Sequence, residues 1–159
     1  MSKIRKVAII GTGVIGTGWI IRCLAHNKIV FAYDKNQNLK SSLTKEIKRT
    51  WPNVKKLFNK KKLNLNNFKY SNTIYDAIKE ADFIQESSTE NYLLKINLMK
   101  IIGKYAKPNA IISSSSSGLL PSRIYSKCKN PYRTMIGHPF NPVYMCPGIE
   151  IVPGKKTKK

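Results

Sequence analysis

A chain of 159 residues with 42% hydrophobic content suffices for one domain, which buries roughly 70% of the surface its unfolded form exposes and leaves no room for a second. Its 29 basic residues against 8 acidic ones give a net charge of +21, which favours anionic ligands such as dinucleotides, coenzyme A or nucleic acid without choosing among them. Three widely spaced cysteines, Cys23, Cys128 and Cys146, argue against a disulfide framework or a structural zinc, and neither a signal peptide nor a run of transmembrane length is legible, so a cytoplasmic location is expected.

Lys6 to Ile10 is a short Val/Ile-rich run that ends in glycines, after which Val14 to Leu24 switches to helical spacing. Ile29 to Tyr33 is a second buried strand ending at Asp34, so the first unit has the length of a right-handed βαβ crossover. Two basic amphipathic stretches follow, and Trp51-Pro52 is expected to divide them into separate helices, because proline suits a first turn better than an interior. A strand near Asn67 to Tyr70, a helix over Thr73 to Ala81, and a strand over Asp82 to Gln85 come next. Tyr92 to Tyr105 is helical, Ala110 to Ile112 a strand running into Ser113 to Ser117, and Pro121 to Lys127 a short helix. Thr134 to Gly137 and Ile149 to Val152 complete the series as strands. The repeated alternation predicts an α/β fold of Rossmann type, a doubly wound and mostly parallel sheet. The lysine runs Lys55-Lys56, Lys60-Lys61-Lys62 and Lys155 to Lys159 lack interleaved aromatics and read as solvated surface, so nucleic acid is not expected as a partner.

Gly11-Thr12-Gly13-Val14-Ile15-Gly16 follows a strand, opens a helix and precedes Asp34 by about 20 residues, the context that a dinucleotide fingerprint requires. Gly11 allows the tight turn, Gly13 admits a pyrophosphate close to the backbone, and Gly16 lets helix and strand pack closely. The helix N-terminus supplies amides and positive dipole to phosphates. Asp34 can accept hydrogen bonds from adenosine ribose hydroxyls and would repel a 2′-phosphate, so NAD is favoured over NADP.

At the other end of the chain, His138 and Glu150 flank a turn containing Pro139, Pro142 and Pro147. A histidine whose second nitrogen meets a carboxylate is the usual general base near neutral pH. Taken by itself, His138 fits a buried structural role equally well. His26, at the end of the first helix, reads as a C-terminal cap.

These segments, together with Ala81 to Ser87, Ser117 to Ser122 and Gly137 to Tyr144, resemble the L-3-hydroxyacyl-CoA dehydrogenase superfamily over nearly the whole chain. The resemblance implies that His138 takes the proton from a substrate hydroxyl while a hydride leaves the same carbon for NAD, with Glu150 orienting the histidine. It implies that Ser117 hydrogen-bonds the reacting oxygen, that Asn141 belongs to the HxxNP turn, and that Glu90 and Lys95 lie beside the nicotinamide ribose. Val14 and Ile15 join the cofactor contacts through the same motif. Glu90 also fits a first-turn helix carboxylate, and Ser117 a strand-end cap. The implied substrate is a small molecule, carnitine first and a 3-hydroxyacyl-CoA second. Phe140 and Tyr144 could hold a quaternary ammonium by cation-π attraction, although packing around the turn is their simpler role. The family continues into further sheet elements and a helical C-terminal domain, so residues 1–159 are expected to form an incomplete NAD-binding domain, complemented by a second polypeptide or a second copy.

Overall fold

Successive side chains of a strand point to opposite faces, and strand β1 (Lys6–Ile10) divides its apolar residues accordingly: Val7 and Ile9 enter one core, Ala8 and Ile10 the other. Both faces must therefore be covered, which requires helices on both sides. The computed structural model, which describes residues 4–59 and 62–158, meets this with α1 (Val14–Ala25) and α2 (Leu39–Leu57) on one face, and α3 (Ile74–Ile78), α4 (Tyr92–Tyr105) and α5 (Pro121–Ile124) on the other.

The other strands are β2 (Ile29–Tyr33), β3 (Phe68–Tyr70), β4 (Phe83–Glu86), β5 (Ile111–Ser114), β6 (Thr134–Pro139) and β7 (Ile149–Pro153). They form one seven-stranded sheet in the order β3-β2-β1-β4-β5-β6-β7. All pairings are parallel except that of β6 with β7, which is antiparallel. The expected doubly wound sheet is thus present. The order reverses beside β1, whose neighbours are β2 and β4, and a crevice opens there at the carboxyl ends of the strands.

Pro52 corrects the expected break: α2 runs unbroken from Leu39 to Leu57 with Pro52 inside it. Leu43, Ile47, Trp51 and Val54 are all buried along one stripe that crosses the proline. An interior proline costs about 3 kcal/mol, whereas each buried large side chain returns about 1.5–3 kcal/mol, so the continuous stripe prevails. The strand expected from Asp82 begins at Phe83 instead. The Asp82 carboxylate accepts from the amides of Arg5 (3.0 Å) and Lys6 (2.9 Å), tying the start of β1 to β4. Helix α3 is shorter than expected, starting after the Thr73 cap, whose Oγ1 accepts from the Asp76 amide at 3.1 Å.

Lys55, Lys56, Lys62, Lys155, Lys156 and Lys158 are exposed, while Lys60, Lys61 and Lys159 lie outside the described residues. The three cysteines are free thiols, and His26 caps α1, its backbone N–H donating to Arg22 O and Cys23 O. Among the described residues no helix is long and apolar enough to cross a membrane.

Candidate active site

The glycine-rich turn owes its shape to contacts that only glycine permits. Gly11 sits at φ +93°, and a Cβ there would come within 2.6 Å of Ser87 O on the neighbouring strand end. A Cβ on Gly16 would lie 1.9 Å from Gly11 O, so the helix packs directly on the turn. Gly13 differs, since nothing lies within 4 Å of its would-be Cβ. That open space is where a pyrophosphate would approach, above an α1 N-terminus that no side chain caps. Val14 is exposed there and Ile15 half-buried.

Asp34 stands at the end of β2 and is latched to the same turn. Its Oδ2 accepts from the Thr12 amide (2.7 Å) and Thr12 Oγ1 (3.1 Å), and its Oδ1 from the Asn36 amide (3.0 Å). A cavity of about 550 Å³ opens between this turn, Tyr33, Asp34, Ser88 and Leu98. Glycines, acid and cavity together fit the adenosine half of a dinucleotide.

Further along the same edge, Glu90 precedes α4 and folds over the loop after β5. Its Oε1 accepts from Ser116 Oγ and from the amides of Ser117 (3.1 Å) and Gly118 (3.3 Å). Burial pushes the Glu90 carboxyl up, but these hydrogen bonds and the nearby Lys95 charge outweigh it and hold the group below its ordinary value. Ser117 is exposed beside it. Lys95, expected at the ribose, is only 1% exposed, and its ammonium donates to both oxygens of the fully buried Glu86 (2.8 and 2.9 Å) and to Ser88 O (3.3 Å). Its link to the open site runs through Glu90 Oε2, 3.4 Å away.

His138 and Glu150 are register partners across β6 and β7. The His138 Nδ1 to Glu150 Oε2 separation is 3.8 Å, longer than a hydrogen bond and within ion-pair reach of an imidazolium. The pair is accessible, with side-chain exposures of 33% and 66%. The Phe140 ring, 57% exposed, lies 6.5 Å from the His138 ring and packs over Gly148, so it is no part of the core. Tyr144 turns away from the histidine, packing against the α1/α2 core and lining, with Asn141, Thr17 and Arg49, a second cavity of about 560 Å³. The turn carrying these residues is docked on α1. Arg22 donates to Val143 O and Cys146 O (both 3.0 Å), and a Cβ on Gly18 would lie 2.8 Å from the Val143 Cβ. One helix therefore carries the glycine turn at its start and steadies the histidine turn along its side.

Three contributors escape the linear reading: Glu86, Thr12 and Arg22. An acid at the end of a buried strand, Gln85-Glu86, is the signal that marks Glu86. Nothing local marks Thr12 or Arg22, because their partners lie 22 and 121 or more positions away.

A glycine turn and an acid at the switch point of a doubly wound sheet define a dinucleotide-binding domain. The chain belongs to the 3-hydroxyacyl-CoA dehydrogenase NAD-binding domain family, whose profile matches residues 6–159. It is 43% identical over 157 residues to an L-carnitine dehydrogenase of Pseudomonas putida, covering 99% of this chain and 49% of that protein. An L-carnitine dehydrogenase of Staphylococcus epidermidis is 40% identical over 154 residues, covering 97% and 48%. Among solved structures, (S)-3-hydroxybutyryl-CoA dehydrogenase from Ralstonia eutropha superimposes with a TM-score of 0.89 at 27% identity, covering 99% of this chain and 56% of that one. The chain thus spans about half the length of the curated relatives it matches. NAD is the cofactor of this family, and the open Gly13, the uncapped α1 and Asp34 fit it.

Proposed function

We propose that the chain binds NAD along the carboxyl edge of its sheet and uses His138, oriented by Glu150, to take the proton from the hydroxyl of a 3-hydroxy substrate that is oxidised to a ketone. The observation that carries this reading is the register pairing of His138 with Glu150 at the same sheet edge as the glycine turn. NAD, when bound, supplies the acceptor for the hydride leaving the carbinol carbon. The first turn of α1 faces the phosphates, Asp34 accepts from the adenosine ribose, and Glu90 accepts from the nicotinamide ribose. Ser117 donates to the reacting oxygen, and Asn141 shapes the turn that presents the base. His138 holds the abstracted proton, and the Glu150 charge stabilises the imidazolium that results.

L-carnitine is the preferred substrate, supported by the relatives named for it. Phe140, exposed beside His138, offers an aromatic face to a quaternary ammonium, whereas Tyr144, packed against the α1/α2 core, does not. A 3-hydroxyacyl-CoA is the alternative, supported by the family and by the Ralstonia structure. The exposed apolar side chains of edge strand β7, Ile149, Ile151 and Val152, support a further polypeptide or a second copy covering this side of the sheet.

Calorimetric titration with NAD, followed by addition of L-carnitine or a 3-hydroxyacyl-CoA and measurement of NADH absorbance, tests the proposal. Binding with turnover on carnitine is the expected result. Binding without turnover would favour the alternative reading, a NAD-binding module that does not turn over by itself, and no binding would overturn the whole reading.

A further inference from the structure

We propose that Glu86 is a positioning residue for the nicotinamide half of the dinucleotide: it anchors Lys95 beneath the loop between β4 and α4, and Lys95 in turn fixes the Glu90 carboxylate. The inference rests on NAD lying along this edge as proposed above. With the adenosine half at Asp34 after β2, the other half extends past β4 and β5 towards His138 on β6.

Glu86 is fully buried and faces no ligand, because its oxygens are consumed within the chain. Oε1 accepts from Lys95 Nζ (2.8 Å), the Ser88 amide (2.7 Å) and Ser88 Oγ (2.5 Å), while Oε2 accepts from Lys95 Nζ (2.9 Å) and Ser114 Oγ (2.5 Å). Ser114 Oγ in turn accepts from the Ser116 amide at 3.2 Å. Glu86 therefore ties the loop after β4 to the loop after β5, and Glu90 bridges the same two loops above it. Glu90 Oε1 is held by Ser116, Ser117 and Gly118, whereas Oε2 lies 3.4 Å from Lys95 and belongs to a side chain that is 40% exposed. That oxygen is the one placed to accept from a ribose hydroxyl. Stability alone does not account for the buried pair, since replacing such pairs by apolar residues of similar volume is often neutral or stabilising.

The test compares the dissociation constants of NAD and AMP, by calorimetry, for the unaltered chain, Glu86→Gln, and the double variant Glu86→Gln/Lys95→Met. The double variant leaves no lone buried charge and so keeps the comparison open if the single variant does not fold. NAD is expected to weaken about tenfold or more in the folded variants, while AMP, which reaches only the adenosine half, stays within about twofold. A purely structural role would move both nucleotides together, and parallel losses, or variants that bind NAD as the unaltered chain does, would overturn the proposal. Failure of the unaltered chain to bind NAD would instead overturn the functional reading beneath it.

Discussion

Alanine at Gly13 and alanine at Gly16 should fail in opposite ways, although both belong to one motif. At Gly16 the new Cβ would meet Gly11 O at 1.9 Å and Gly11 C at 2.9 Å. Both are backbone atoms of a turn already held at φ +93°, so relief requires the helix to move. Such overpacking costs about 1–3 kcal/mol, occasionally more, and the gain of up to about 1 kcal/mol from replacing a helical glycine offsets only part of it. A net loss of about 2 kcal/mol lowers the melting temperature by roughly 4–8 °C at this chain length. At Gly13 the Cβ meets nothing within 4 Å, and φ is −65°. The loss of a good N-cap glycine, about 0.5 kcal/mol, is balanced by the reduced freedom of the unfolded chain, about 0.4–1 kcal/mol. Gly13→Ala should therefore melt within about 2 °C of the unaltered chain, yet bind NAD at least about tenfold more weakly, because the methyl occupies the space a phosphate needs. Thermal unfolding by circular dichroism and calorimetric titration with NAD report the two quantities separately. The reasoning is refuted if Gly13→Ala keeps full NAD affinity, or if Gly16→Ala melts with the unaltered chain.

His138→Gln should reduce NADH production by about 10²–10⁴-fold, the range of a general base, with NAD affinity retained; equal turnover in variant and parent would remove His138 from the chemistry. Asp34→Asn keeps an acceptor for Thr12 but removes the charge that repels a 2′-phosphate, so the ratio of NADP to NAD dissociation constants should fall by about tenfold; an unchanged ratio contradicts the role. For Asp82, burial raises the carboxyl, but the Lys6 and Arg5 amides and Lys107 overcome this and hold it at about 2. Because the folded value lies below the unfolded one, the stabilisation is present above the ordinary value near 3.8 and is lost as pH falls towards about 2. Asp82→Asn should cost about 1–2 kcal/mol near neutral pH, after allowance for partial exposure, and the gap in urea unfolding should close between pH 4 and 2; a gap independent of pH would show that charge is not its source.

Legibility followed the range of the physics involved. The Val/Ile run ending at Gly11 and the spacing to Asp34 depend on neighbours within one turn or one βαβ unit, and they read directly from the chain. Pro52 misled because its local cost is real but smaller than the burial of Leu43, Ile47, Trp51 and Val54 on one stripe. Lys95 misled in a different way: its position in the sequence suits a ribose contact, while the buried Glu86 takes its ammonium from below. Phe140 and Tyr144 share one short turn, but only the placement of that turn on α1 sends one ring beside His138 and the other against the α1/α2 core.

The linear order of residues determined the alternation of strands and helices, the glycine turn and the family of the chain, since each depends on hydrophobic period and local backbone freedom. Tertiary structure decided what required distant groups to meet. It set the pairing of His138 with Glu150 through antiparallel β6 and β7, the latch of Thr12 on Asp34, and the burial of Glu86 with Lys95 under Glu90. Buried charges persist only where partners satisfy them, and those partners come from loops that the folded sheet alone brings to one edge.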